Sequence, residues 1–357
     1  MLAQILGVLC LAGALAGLAQ DAPVPQPGQI KDPRAILAAA APFYDFSDPA
    51  LKPWHLKATY QRYDDKGNPA EQGTFEYWWA SPKVYRVTWT RPDASHSDWH
   101  TADGKFAHLS TGGGLDFFES KLEFAFVSPL PATHDLDPSE SRLDREDVKL
   151  GDAKLPCVMV MPLMPQRGQF QPEAMPTVPL GLFPTYCFDP KVPVLRAAYS
   201  FGTLTEGFDS FVKFQGRFLA KKILFYEGKR QILSASVDLL EGLSPVDPAL
   251  TPDPHATFPK LQKVNLGAGI AVGFLLKKTA PTYPPDAKQA RASGTVVLQA
   301  LIGRDGRIHD LRVVQAPWPS LAASALWAVS QWQYKPYLLN GEPVEVETTI
   351  NVIFTLG

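Results

Sequence analysis

A proline-dense segment near the middle of the chain strongly limits what the sequence can fold into. Residues 244–259 include Pro245, Pro248, Pro252, Pro254 and Pro259. Proline fixes φ and offers no backbone N–H, so such a segment continues neither a helix nor a central strand. A chain of 357 residues is also longer than one ordinary core requires. The sequence therefore predicts two domains, at 33–243 and 261–357, joined by a linker at 244–260.

Composition excludes two broad classes of protein. The hydrophobic fraction of 45% and the eight tryptophans exclude a disordered chain. A net charge of −2 at pH 7, without any long run of Lys and Arg, argues against a nucleic-acid partner.

Residues 1–19 form an apolar leader, followed by a Pro-rich spacer at 20–32. Small residues at Gly17 and Ala19 are typical of a cleavage site, which predicts a signal peptide and export to the periplasm. The basic start of a signal peptide is missing, and as a helix the run would span roughly 27 Å, enough to cross a bilayer. A retained inner-membrane anchor is therefore the alternative.

Removal of the leader leaves two cysteines, Cys157 and Cys187. In an exported chain, two cysteines are best explained by one disulfide. The alternative is a pair of buried free thiols. Since no histidine stands near either cysteine in a catalytic pattern, neither is expected to be a nucleophile.

The first domain shows the pattern of strands after one short helix at 33–44. Residues 84–89 alternate, with Tyr85, Val87 and Trp89 on one face and Arg86 and Thr88 on the other. Turn sequences such as Asp103-Gly104 recur between such segments. We expect a largely antiparallel sheet with one wetter face, and an α+β class for the whole chain.

The second domain alternates helices and strands. The patterns predict a strand at 270–276, helices at 285–292 and 320–330, a hairpin of 294–302 with 308–314, and a final strand at 344–356. In that last strand Val346, Thr348, Ile350 and Val352 share one face.

The order of particular residues in this second domain resembles the TonB C-terminal domain, over 281–357. The matching residues are Tyr283-Pro284, Ala287, Gly294-Thr295-Val296, Asp305-Gly306, Ala325, Trp332, Tyr334, Pro336, Asn340-Gly341, Pro343-Val344 and Phe354. The resemblance implies that an extended peptide adds to the sheet as a further strand. The partner-binding residues that it implies are Tyr283, Pro284, Asn340, Gly341, Val346, Thr348, Ile350 and Val352. The last strand has no later partner in the sequence, so we expect the docking edge at 346–353.

The resemblance also implies partners for this chain, although the sequence departs from the family in two respects. An outer-membrane TonB-dependent receptor is the expected partner, in support of energy-coupled transport, with an inner-membrane proton-driven motor if the leader is retained. The leader, however, carries no His or charged residue to face such a motor, and a folded domain takes the place of the family's long Pro-rich rod. Force transmission is thus less well supported than peptide binding.

Residues 33–243 are more loosely similar to the LolA-like lipoprotein-carrier fold, a curved antiparallel sheet around helices. The similarity rests on the early helix and on Tyr77-Trp78-Trp79, Ser81-Pro82-Lys83-Val84-Tyr85-Arg86 and Asp103-Gly104-Lys105. The aromatic residues could line a lipid cavity or fill an ordinary core. The alternative function is accordingly a periplasmic carrier of lipid or lipoprotein that docks through the TonB-like module.

The sequence offers no pattern for catalysis or for a cofactor. Residues 267–273 imitate a dinucleotide fingerprint but follow a linker rather than a strand. His96, Asp98, His100 and His108 fall in a strand-and-turn region, where a four-residue spacing does not by itself bring side chains together, so they are interpreted as solvated polar groups and no metal site is expected. We expect a protein that is not an enzyme.

Overall fold

The structure, a computed structural model, describes residues 24–112, 117–131, 136–139, 141–162, 183–201, 204–259, 263–266, 273–339 and 341–356. The predicted leader, Asn340 and most of the glycine-rich stretch at 267–273 lie outside these ranges. Within them, no helix is both long and apolar enough to cross a membrane.

The first part of the chain forms one twelve-stranded sheet, in the order β5-β4-β3-β2-β1-β12-β11-β10-β9-β8-β7-β6. All its neighbouring strands pair antiparallel, which confirms the predicted class. The strands are β1 (Trp54–Tyr63), β2 (Pro69–Ser81), β3 (Val84–Arg91), β4 (Ala94–His100), β5 (Phe106–Thr111), β6 (Ser141–Leu150), β7 (Ala153–Pro162), β8 (Thr185–Phe188), β9 (Leu195–Phe201), β10 (Leu204–Phe214), β11 (Arg217–Glu227) and β12 (Arg230–Gly242).

One face of this sheet is apolar because hydrophobic residues alternate along its strands. We call it the inner face; it carries Trp54, Phe75 and Trp89, which are all buried. Helix α1 (Pro33–Ala40) begins at Asp32, whose side chain accepts a hydrogen bond from the N–H of Arg34, and buries Ile36 and Leu37. The predicted early helix is thus present, with a 3₁₀ turn at Ala41–Phe43 after it.

A second helix, α2 (Phe117–Val127), lies between β5 and β6 in the chain and packs against the inner face. Phe126 stacks on Phe75 with ring centroids 5.7 Å apart. The buried carboxylate of Glu119 accepts hydrogen bonds from Arg91 of β3 (2.9 Å) and from the hydroxyl of Tyr60 of β1 (2.7 Å). Since a buried charge is costly without partners, this pairing determines where α2 can sit.

The C-terminal part forms a smaller four-stranded sheet, in the order β13-β20-β15-β16. The elements of this C-terminal part are β13 (Lys263–Leu266), β14 (Leu275–Lys277), α3 (Pro285–Gln289), β15 (Gly294–Ile302), β16 (Ile308–Gln315), α4 (Pro319–Ser330), β17 (Gln333–Tyr334), β18 (Leu338–Leu339), β19 (Glu342–Pro343) and β20 (Glu345–Phe354). The predicted hairpin and helices are confirmed, although the first helix ends at Gln289 rather than at 292. Of the predicted strand at 270–276, residues 270–272 lie outside the described ranges, and β14 begins only at Leu275. At the hairpin turn Gly306 has φ +77°, and a Cβ there would lie 2.0 Å from the carbonyl oxygen of Tyr334, so only glycine fits.

The Pro-rich segment between the sheets lies against the opposite, outer face of the large sheet. Across that face His55, Trp78, Arg86 and Trp99 are successive cross-strand neighbours, with the Arg86 guanidinium 4.5 Å and 4.7 Å from the two indole rings. Trp99 Nε1 donates to the carbonyl of Ala249 (3.1 Å). Farther on, Thr257 exchanges backbone hydrogen bonds with His108 of β5 (2.8 Å each). The segment is therefore held at several points rather than free.

The predicted disulfide is present. Cys157 of β7 and Cys187 of β8 are directly opposite each other in the antiparallel pairing, and their Sγ atoms are bonded. Both residues are buried, with Leu155 and Ala197, in a small apolar cluster separate from the main core.

Loss of this bond is expected to destabilise the protein. The bridge closes a sequence separation of 30 residues, so the chain-entropy argument gives about 3–4 kcal/mol for a Cys157→Ala, Cys187→Ala variant. Urea unfolding of wild type and variant measures this difference. An unchanged free energy of unfolding, or two free thiols by intact mass without reductant, would contradict it.

Candidate functional site

The final strand, β20, is the candidate site because the peptide was expected to add along it. On one side β20 pairs antiparallel with β15 over its length, from Val346 opposite Ile302 to Phe354 opposite Gly294. On the other side the chain supplies its own strand. β13 pairs in parallel with the first half of β20, from Lys263 opposite Glu345 to Leu266 opposite Thr348.

The prediction that the whole of 346–353 is a free edge is therefore wrong in its first half. Besides the parallel pairing, the hydroxyl of Thr348 donates to the carbonyl of Leu266 (2.8 Å), and Lys263 pairs with Glu347 (2.8 Å). β13 has only four residues and lies close to the prolines, so its sequence pattern does not predict a strand. Among the described residues, 349–354 have no strand on this side.

The four predicted side chains of β20 do share one face, and that face points into the core. Val346, Thr348, Ile350 and Val352 are each at most 5% exposed, so they support the strand rather than present groups to a partner. The alternate side chains are exposed, namely Thr349, Asn351 and Ile353, the last at 69%. The alternation that places four residues of β20 in the core also places these three side chains on the opposite, exposed face.

The other predicted residues shape the module. The hydroxyl of Tyr283 donates to the carbonyl of Ala292, and its ring lies edge-on to Phe354 at the end of β20 (centroids 5.5 Å apart). Pro284 precedes the first turn of α3. Gly341, with φ +87°, makes the turn between β18 and β19 that leads into β20. Asn340 lies outside the described residues.

The C-terminal module contacts α2 and the end of the large sheet. Arg304, in the turn between β15 and β16, lies over the ring of Phe106 (4.0 Å from its centroid), and Lys121 of α2 pairs with Asp310 of β16 (3.2 Å). Phe118 of α2 also meets Trp327 of α4, with centroids 6.2 Å apart. These contacts place β16, rather than β20, towards the large sheet.

A group of ionisable side chains lies at this junction. Burial would raise the pKa of Asp98, but hydrogen bonds from His108 (2.7 Å) and His96 (3.2 Å) outweigh it and hold the pKa well below its usual range. Burial raises the pKa of Glu123 on α2 to about 7, with the negative charge of Asp98 adding to the shift and His309 opposing it. The sequence interpretation of these histidines as separate, solvated groups is wrong, because the β4–β5 register brings them together.

Glu123 predicts a pH dependence of stability. A carboxyl whose pKa is raised on folding contributes its full stabilisation below its ordinary value of 4.5, and this is lost as the pH rises through about 7. Glu123→Gln should therefore be more stable than wild type above pH 7, by about 1–3 kcal/mol, and equally stable near pH 4.5. Thermal unfolding across this pH range measures the difference, with the exposed Glu241→Gln as control. A pH-independent difference would contradict the assignment.

The comparisons with known proteins assign a family to the C-terminal part. Residues 279–356 match the family described as Gram-negative bacterial TonB protein C-terminal. A solved TonB C-terminal domain from Pseudomonas aeruginosa is 30% identical, with 23% of this chain and 84% of that chain covered and a TM-score of 0.20. A search of curated proteins found no match.

The large sheet also has similar solved structures, at low identity. A LolA superfamily protein from Nitrosomonas europaea is 9% identical, with 61% of this chain and 96% of that chain covered and a TM-score of 0.36. A DUF1329 family protein from Desulfovibrio piger is 12% identical, with 59% and 93% covered and a TM-score of 0.36. Residues 279–356 of this chain thus match the TonB C-terminal domain family.

Proposed function

We propose that this chain is an exported, non-enzymatic protein of the bacterial envelope whose C-terminal module binds an extended peptide by strand addition. The proposed partner is an outer-membrane TonB-dependent receptor, and the binding would support energy-coupled transport. The observation that carries the proposal is the outer edge of β20, where 349–354 have no strand beside them among the described residues while their side chains alternate between core and solvent.

The chain's own β13 supports the capacity of this edge to accept a strand. Its four residues pair in parallel with β20, so the backbone of β20 is already arranged to hold an added segment. Strand addition draws its affinity from main-chain hydrogen bonds, which need no reactive side chain on either partner. A receptor peptide could pair beside 349–354, a length of roughly 20 Å at about 3.3 Å per residue, or displace β13 and pair with all of β20.

The proposed location rests on the disulfide as well as on the leader. Disulfides persist in oxidising compartments such as the periplasm and are rare in the cytosol. The bond between Cys157 and Cys187 is buried in the large sheet, so it is part of the folded structure. A retained leader would instead place the chain in the inner membrane, beside a proton-driven motor.

The alternative function, a periplasmic carrier of lipid or lipoprotein, receives less support from the packing of the aromatic residues. The aromatic residues that could line a lipid cavity pack against one another, as Phe75 does with Trp89 (centroids 4.4 Å apart), and against α2. In the part of the inner face that the structure describes, they fill a core. Mass spectrometry of organic extracts tests this alternative, since stoichiometric copurified lipid would favour the carrier.

The docking edge predicts a specific pattern of cross-links. Single cysteines at Asn351 or Ile353, both exposed on β20, should form disulfides with a cysteine-bearing peptide that contains the TonB box of an outer-membrane receptor. Arg312→Cys is the matched control, because Arg312 is exposed on β16 at the other side of the sheet. Equal cross-linking at β16, or none at β20, would contradict strand addition at this edge.

β13 is expected to compete with the peptide. A Val264→Pro, Leu266→Pro variant removes backbone donors from β13, and by freeing the first half of β20 it should tighten peptide binding by roughly tenfold, the equivalent of about 1.4 kcal/mol. Lys263→Ala is the control, since it removes only a half-exposed ion pair and should change little. Calorimetric titration measures both; unchanged or weaker binding in the proline variant would show that β13 does not compete.

A further inference from the structure

Three side chains with metal-binding atoms converge on the inner face near the edge of the large sheet. His96 and Asp98 are two residues apart on β4 and so lie on the same side of the strand, while His108 is directly opposite Asp98 on β5. One ligand atom from each lies within 4.8 Å of the other two. The three positions belong to paired strands, so their backbones are fixed relative to one another.

Both imidazole rings direct a nitrogen at the carboxylate of Asp98. His108 Nδ1 lies 2.7 Å from Asp98 Oδ1, and His96 Nε2 lies 3.2 Å from Asp98 Oδ2. A carboxylate accepts at both oxygens, so each contact holds a proton on the imidazole nitrogen. A divalent cation could occupy the position of these protons, and each neutral imidazole would then carry its proton on the other ring nitrogen.

The surroundings of the three side chains fix their orientation and leave them accessible to an ion from solvent. The far nitrogen of His108, Nε2, lies 3.1 Å from the hydroxyl of Ser110, a second partner that fixes the ring as metal-binding histidines require. The side chains of His96, Asp98 and His108 are 15%, 24% and 24% exposed, so an ion could enter from solvent.

We propose that His96, Asp98 and His108 bind one first-row divalent transition-metal ion, such as zinc, with solvent at the remaining position. Two imidazole nitrogens and one carboxylate oxygen form a donor set that suits zinc and its neighbours better than magnesium or calcium. This site is distinct from the peptide edge and does not depend on the proposed function.

A positively charged side chain lies beside the proposed ion and repels it. Arg304, from the turn between β15 and β16, has Nη2 3.9 Å from Asp98 Oδ2. It neutralises the carboxylate in the ion's absence and repels a cation that binds there. The ion and Arg304 therefore compete for the carboxylate of Asp98, so the charge of Arg304 weakens metal binding at this site.

Zinc titration of the full chain tests the proposal, with a chromophoric chelator as competitor. The wild type should bind one equivalent, and His96→Gln and His108→Gln should each weaken binding by about 100-fold or more, because even outer partners of metal ligands are worth about 10–100-fold. The matched control is His100→Gln, on the same face of β4 but outside the ligand set. Arg304→Gln should bind zinc more tightly than wild type.

Spectroscopy of the unaltered chain keeps the test independent of how the variants fold. Cobalt(II) added to the wild type should give visible absorption typical of low coordination with nitrogen and oxygen ligands, and zinc should abolish it. Absence of one-to-one binding, or binding unaffected by both histidine variants, would overturn the proposal. Equal loss in the His100→Gln control would do the same.

Discussion

Each sheet of this protein buries its main apolar face in one continuous core, and this burial is the interaction on which the rest of the structure depends. Helix α2 contributes to that core and meets the C-terminal module through Phe118. The ion pair between Lys121 and Asp310 at the same contact includes a half-exposed carboxylate, and such pairs contribute little. Apolar packing therefore determines that β16 lies towards α2.

The orientation of the module has a consequence for its sheet edges. An exposed strand edge has unpaired backbone groups that invite pairing with another chain. One outer strand of the small sheet, β16, contacts α2, and the other side is covered in part by β13. Among the described residues on that side, backbone without a neighbouring strand remains along the second half of β20 and along the outer side of the short β13. The unpaired edge of β20 exposes the protein to unwanted strand pairing, and it is the same edge that we propose binds the peptide.

Local pattern predicted much of the C-terminal module and the class of the large sheet. The hairpin around Asp305 and Gly306, helix α4 and the disulfide all follow from turn chemistry, periodicity and cysteine count. The pairing of β13 with β20 does not, because a four-residue strand carries too little alternation to be recognised. It also depends on a partner more than seventy residues away, as Lys263 does on Glu345.

The polar features were harder still to predict. The convergence of His96 and His108 depends on which residues of β4 and β5 are opposite each other, and strand register is fixed by pairing rather than by spacing. The position of the Pro-rich segment likewise depends on Trp99 and Arg86 of the outer face, which reach Ala249 across the fold. A proline-rich composition gives no indication of such contacts.

The most direct test of the account is hydrogen exchange of the β20 amides, followed by NMR with and without a peptide that carries a TonB box. Because successive residues of a strand direct their backbone groups to opposite sides, strand addition should slow exchange at alternate amides within 349–354 and leave β16 unchanged. Protection confined to β16 or to the inner face of the large sheet, or no added protection, would contradict the proposal that the outer edge of β20 is the docking site.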